Sequence, residues 1–248
     1  MKKIVFIAVA WLVCHHNLGA QVRSKKTESE PAFNYEGCIS ARDSAYADPR
    51  IAIDVLMEGN KRFVDGKAQK PRQDKYTVKS LEKGQHPFAV IVGCSDSRVP
   101  NELIFDQGFG DLFIIRTAGQ VAADASYASM EFATLKLGTK LIVVMGHTEC
   151  GAVAASLSGD THLPGHLNTL TAAIRPAVLK SQELSGNPLD NAVRQNVIDQ
   201  VNALRKLAPI LDEKFKTGEL LIVGAVYDIH TGKVTFLEQT IADLPVSK

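Results

Sequence analysis

The chain is poor in the residues that cross-link, stack or attract charged partners. Four cysteines in 248 residues cannot build a disulfide framework. The one tryptophan, Trp11, lies in the first apolar stretch, so the rest of the chain has none. A formal charge of +1 supplies no field for nucleic acid or for an anionic membrane. No run is long and apolar enough to span a bilayer, which takes about 20 residues. Internal repeats and low-complexity tracts are also missing.

What is present begins with a three-part leader. Lys2 and Lys3 precede an apolar stretch from Ile4 to Val13, and Leu18-Gly19-Ala20 follows a short polar region. This is the layout of a secretory signal cut after Ala20, and it predicts export, with the periplasm as destination. A buried N-terminal helix is the alternative. Losing residues 1–20 removes Lys2 and Lys3 and no acid, which takes the formal charge to −1. Residues 21–47 are polar and mixed in charge, and they read as a flexible leader or an arm that lies on a partner. Residues 48–248 suit a single domain.

Within that domain strands alternate with helices. Phe88–Gly93, Leu112–Arg116, Leu141–Gly146 and Leu220–Val226 are apolar runs that read as buried strands. Asp48-Pro49 opens a helix that stops near Gly66. Asp124 is expected to cap a helix running to Leu137 and ended by Gly138. Another helix starts at Cys150. Residues 166–183 and 188–216 read as largely helical, with Pro176 marking a kink or break. Lys233–Glu238 alternates and suits an edge strand. The fold class is α/β, a central and mostly parallel sheet flanked by helices.

Cys14 leaves with the signal, so Cys38, Cys94 and Cys150 remain. Cys94 follows one buried run, in Gly93-Cys94-Ser95-Asp96-Ser97-Arg98. His147 and Cys150 follow another, in Gly146-His147-Thr148-Glu149-Cys150-Gly151. Two thiolates and an imidazole form a zinc set with a fourth position left for water or substrate. Sites in open α/β sheets form at the carboxyl ends of strands, so all three ligands fall on one rim. Cys38 is then the odd thiol, free, bridging two chains, or buried as a small apolar residue.

An ion held this way lowers the pKa of bound water far below about 15.7. The resulting hydroxide needs an acceptor for its proton and a small electrophile. If the loop is locally extended, Cys94, Asp96 and Arg98 point the same way. Asp96 then accepts the hydroxide's hydrogen bond while Arg98 grips the carboxylate. Asp96 binding the zinc itself and shutting the site is the other arrangement. A Cys-His nucleophilic pair is a further competitor, but it leaves the second cysteine and the Asp-Arg pair without a task.

Taken together, Cys94-Ser95-Asp96-Ser97-Arg98-Val99-Pro100 and Gly146-His147-Thr148-Glu149-Cys150-Gly151 resemble the β-class carbonic anhydrases. The likeness runs from about Asp48 to Glu238. It implies one Zn2+ per chain on Cys94, His147 and Cys150, with Asp96 and Arg98 as the catalytic pair. The implied reaction is reversible hydration of carbon dioxide to bicarbonate and a proton by a zinc-bound hydroxide. A catalytically weak relative that binds zinc and bicarbonate is the alternative. The resemblance also implies a homodimer or tetramer of dimers, joined in part through the N-terminal arm or helix. It assigns Gln85 to the substrate oxygen, Phe113 and Phe132 to the pocket wall, and Gly151 to the pocket's small-residue position. Part of that pocket comes from the partner chain. Phe132 stands where some members carry tyrosine. Without the resemblance Gln85, Phe113 and Phe132 would read as surface, core and core.

Two departures stand out. Arg116-Thr117-Ala118-Gly119-Gln120 replaces the more usual Arg-Asn-Ala-Gly-Asn. Some members close their site through a second bicarbonate pocket built on a tryptophan, and here that position is Ile91. This chain is therefore expected to lack the switch and keep an open site. His86, His162, His166 and His230 are available to carry protons, and none is singled out.

Overall fold

A computed structural model describes residues 43–160 and 163–245. The leader, its cleavage position, Cys38 and His162 lie outside the described residues.

Five strands form one sheet: β1 (Ala89–Cys94), β2 (Leu112–Thr117), β3 (Leu141–His147), β4 (Leu221–Tyr227) and β5 (Val234–Phe236). Their order is β2-β1-β3-β4-β5. The first four pair in parallel, and β5 returns antiparallel along β4. The expected strands and the short edge strand are thus all present. The chain leaves β1 toward one side to make β2, then crosses back over to make β3. The order therefore reverses between β1 and β3, and their carboxyl ends flank the crevice where α/β sheets place ligands.

Every residue of β1, β3 and β4 is buried. Successive side chains point to opposite faces, and two separate cores result. Val90, Val92, Ile142, Val144 and Ile222 pack on one face, against helices that include α4 (Asp124–Lys136), α5 (Gly151–Leu157), α6 (Leu167–Ser181) and α7 (Pro188–Leu204). Ile91, Val143, Met145 and Val223 pack on the other, against α1 (Pro49–Val64). Each such side chain, fully buried, contributes about 1.5–3 kcal/mol. Strand β2 is different. As an edge strand it is only half-buried, although its sequence is as apolar as the others.

Helix α1 starts as expected, with the Asp48 carboxylate accepting from Arg50 N–H at 2.8 Å. It ends at Val64, two residues before Gly66, which has φ +68°. One expectation changes and two are refined. Ala123, not Asp124, is the N-cap of α4, and Asp124 sits in the first turn, where a carboxylate meets the positive end of the helix dipole. Pro176 lies inside α6 without ending it. Residues 188–216 divide into α7 and α8 (Ile210–Lys216), with Pro209 as the N-cap of the second helix.

Candidate metal centre

Cys94 is the last residue of β1 and His147 the last of β3. Gly93 pairs with Met145 in the parallel register, so Cys94 lies level with Gly146, one residue from His147. Cys150 comes to the same point because the chain turns sharply between β3 and α5. Glu149 makes that turn in the left-handed region, at φ +56°, a conformation that costs a non-glycine residue energy and gathers at functional sites. Thr148 N–H anchors the turn on Tyr227 O at 3.0 Å.

The three candidate ligand atoms lie within 4.8 Å of one another, and all three residues are buried. His147 Nδ1 is 2.8 Å from the Thr148 carbonyl oxygen, which assigns its proton to that nitrogen. Nε2 is then the lone-pair nitrogen. It is buried and has no hydrogen-bond partner among the described residues. An orphaned acceptor facing two sulfurs is costly unless a cation takes its lone pair, and the set fits a tetrahedral zinc.

The sulfurs are prepared for charge. Cys94 Sγ accepts from Asp96 N–H at 3.4 Å and from Gly119 N–H at 3.3 Å. A hydrogen bond from Cys150 holds the Cys94 thiol well below its ordinary range, helped by His147 and opposed by burial. The same shared proton pushes Cys150 up, and burial adds to it. The first-turn amides of α5, from Val153 and Ala152, favour the Cys150 thiolate, though its side chain makes no closed capping bond. Burial, the largest single influence, works against a charged His147, but Cys94, the Thr148 carbonyl and Asp96 together outweigh it and raise the imidazole. A divalent cation would replace that proton.

Asp96 and Arg98 join the centre by a route that differs from the expected extended loop. The chain turns at Ser97-Arg98, with Val99 N–H donating to Asp96 O at 3.0 Å. Arg98 donates its backbone N–H to Asp96 Oδ1 at 2.9 Å, its Nε to the same oxygen at 3.0 Å and its Nη2 to Oδ2 at 2.8 Å. An aspartate that captures the amide two residues on makes an Asx turn, and this one brings the guanidinium back on the carboxylate. Arg98, by that hydrogen bond first, keeps the Asp96 carboxyl well below the usual range. Asp96 Oδ2 ends 3.9 Å from His147 Nε2. Arg98 Nη2 also donates to Glu149 O at 3.2 Å, so one side chain joins both ligand segments.

A profile of the carbonic anhydrase family matches residues 89–234. The chain is 40% identical over 189 residues to carbonic anhydrase 2 of Mycobacterium tuberculosis, covering 75% of this chain and 91% of that relative. The chain belongs to the β-carbonic anhydrase family. Among solved structures, the β-carbonic anhydrase CcaA superposes with a TM-score of 0.61 at 30% identity, covering 79% of this chain and all of that one. One of two tetrameric β-carbonic anhydrases from Sordaria macrospora gives 0.61 at 26% identity, covering 75% and 96%.

Of the other residues assigned through the family resemblance, Gly151 adjoins Cys150, while Gln85 and Phe113 lie away from the ligands of their own chain. Gln85 is exposed and precedes β1, at the end of the sheet away from the ligands. Phe113 pairs with Val90, four residues before Cys94, which is about 13 Å along a strand. It packs on the core, half-buried. Phe132 is 49% exposed on α4, so it is not the core residue its type suggests. Gly151, the first residue of α5, is exposed, and a Cβ there would meet nothing within 4 Å. No demand inside this chain keeps it small.

Two contributors were noted in the sequence only as members of the Arg116–Gln120 segment, with no role assigned. Gly119, at φ +64°, turns its N–H onto Cys94 Sγ, and its carbonyl accepts from buried Asn196 at 3.1 Å. Its signal was a glycine just past an apolar strand. Arg116 donates from Nε to Cys94 O at 2.9 Å and from Nη2 to Asp96 O at 2.6 Å. Only its position at the strand's end hinted at this.

Proposed function

We infer that this chain is a zinc carbonic anhydrase that hydrates carbon dioxide reversibly to bicarbonate and a proton. The observation that carries the reading is the buried, unpartnered His147 Nε2 facing two sulfurs, with the Arg98-held Asp96 carboxylate 3.9 Å away. Cys94, His147 and Cys150 would hold the ion, which supplies Lewis acidity and lowers the pKa of a water in its remaining position. Asp96 Oδ2 accepts a hydrogen bond from the attacking water and so aims its lone pair at the carbon. Arg98 holds Asp96 ionised and leaves it free to do this. That grip supports the open arrangement over one in which Asp96 fills the ligand position. Ile91, fully buried in the core beneath the site, supports it too. The new C–O bond forms as a proton leaves the water for solvent.

A second copy of the chain completes the pocket in this reading. Gln85 and Phe113 lie away from their own chain's ligands, Phe132 is exposed, and β2 offers an apolar, half-buried edge. Such an edge calls for cover. The leader, with the arm that follows it, supports export to the periplasm. Intact mass spectrometry of protein taken from the cell envelope tests both ideas. A chain starting at Gln21 is expected, in particles of two or four copies. A chain that keeps residues 1–20, or a monomer, would overturn the corresponding part.

Stopped-flow hydration on purified protein, with zinc counted per chain, tests the activity. Rapid hydration, rising across about pH 7–9, and about one zinc per chain are expected. Activity lost to a strong chelator and restored by zinc separates this reading from a thiol hydrolase, which only alkylation would stop. A zinc-loaded chain with no hydration above buffer would leave the weak binding relative as the answer.

A further inference from the structure

Strand pairing holds the first ligand segment only as far as Ser95, whose N–H donates to Thr117 O at 3.0 Å. Past that contact the chain leaves the sheet, and Asp96, the residue that must be aimed, sits on the free side. Arg116 lies beside Gly93 in the register, one residue before the ladder ends. Its guanidinium spans two carbonyls of the neighbouring segment, Cys94 O through Nε and Asp96 O through Nη2. The bonds are 2.9 and 2.6 Å, so the fork extends the ladder where peptide pairing has stopped.

The Asp96 peptide carries three connections to the site. Its N–H donates to Cys94 Sγ, its carbonyl accepts from Arg116 and Val99, and its carboxylate meets Arg98. Arg98 grips the movable end of the side chain and follows wherever the turn goes. Arg116 grips the backbone from a different strand and fixes where the turn is. We propose that Arg116 is the positioning residue of the site, holding the Cys94–Asp96 backbone so that the Asp96 carboxylate lies beside the donor set. The inference rests on the hydratase reading and adds a second arginine to it, one that acts through Asp96 and not on substrate. A planar two-point fork is needed, because a lysine ammonium reaches one carbonyl at a time.

Four zinc-loaded variants test this: Arg116→Met, Arg116→Lys, Asp96→Asn and the double variant Arg116→Met/Asp96→Asn. All are expected to keep wild-type zinc content and, with cobalt in place of zinc, an unchanged thiolate charge-transfer band. Arg116→Met is expected to lose about 10- to 100-fold in kcat/KM, the range for losing an outer-sphere partner. Arg116→Lys should lose most of that. In the Asp96→Asn background the same Arg116→Met change should cost less than about twofold, because the carboxylate it positions is gone. Independently of turnover, hydrogen exchange at the Asp96 and Val99 amides should quicken about tenfold or more in Arg116→Met.

The inference is overturned if Arg116→Met hydrates carbon dioxide like the wild type, or if Arg116→Lys matches the wild type. It is equally overturned if the loss is as large with Asp96→Asn as without, since Arg116 would then act on its own. If Arg116→Met fails to fold, Arg116→Lys and its exchange rates decide the matter. A wild-type chain with no hydration would remove the functional reading alone, and amide exchange would still test the brace.

Discussion

Cys94→Ser is expected to leave well under one zinc per chain and to lower carbon dioxide hydration by about 10³-fold. Serine keeps the shape, but its hydroxyl does not ionise as a thiol does and is a poor ligand for this ion. Sites of this kind hold zinc with about 10–16 kcal/mol. Losing one ligand of three removes about 3–5 kcal/mol of that, or about 10²- to 10⁴-fold in affinity. The local structure suffers as well, because the Asp96 and Gly119 amides both donate to this sulfur. The melting temperature of the zinc-loaded protein should therefore fall too, while that of the apo protein moves much less. Zinc analysis, stopped-flow hydration and thermal scans with and without a chelator check this. A Cys94→Ser protein with one zinc and wild-type hydration would show that Cys94 is not a ligand.

Arg98→Met should keep its zinc and lose about 10²- to 10³-fold in kcat/KM, the scale set by oriented acid–base and electrostatic groups. Two losses combine. The Asp96 carboxylate is no longer held in place, and the bond to Glu149 O that joins the ligand segments is gone. The pH dependence distinguishes aim from ionisation. Arg98 depresses the Asp96 carboxyl, so the charged form is present above the ordinary value and is lost only as pH falls through the lower native one. Removing Arg98 lets the group rise toward about 3.9, still acidic. Asp96 stays ionised at working pH in both proteins, and the fold-loss should be constant from about pH 6 to pH 9. A loss that shrank steadily with rising pH would assign Arg98 to protonation instead of geometry.

The donor set was legible because its chemistry is local. Each ligand follows an unbroken apolar run, such runs become buried strands, and strand ends gather on one rim. The partners of that chemistry were also close in sequence, as Asp96 and Arg98 are. The path by which they meet was not legible. Alternating side-chain direction suggested an extended loop, whereas an Asx turn at Ser97-Arg98 makes the contact. The two outer contributions, from Arg116 and Gly119, depend on which strand lies beside β1, a tertiary fact that no local pattern encodes. One helix end was misplaced for the opposite reason. Asp124 has a strong local preference for the cap position, yet Ala123 takes it and Asp124 falls in the first turn. Phe113 packs on the core of its own chain, while Phe132 is half-exposed on its helix.

Reversal of strand order between β1 and β3 has a consequence for assembly. Cys94 and the His147–Cys150 pair are separated by 52 residues of chain, which include β2 and α4. They become neighbours only after the chain has built both and crossed back over β1. A half-folded chain thus presents single thiols and a lone imidazole, weak traps for any metal. Firm capture waits until the crossover has closed. A full donor set therefore exists only where β3 has paired with β1 across the crossover.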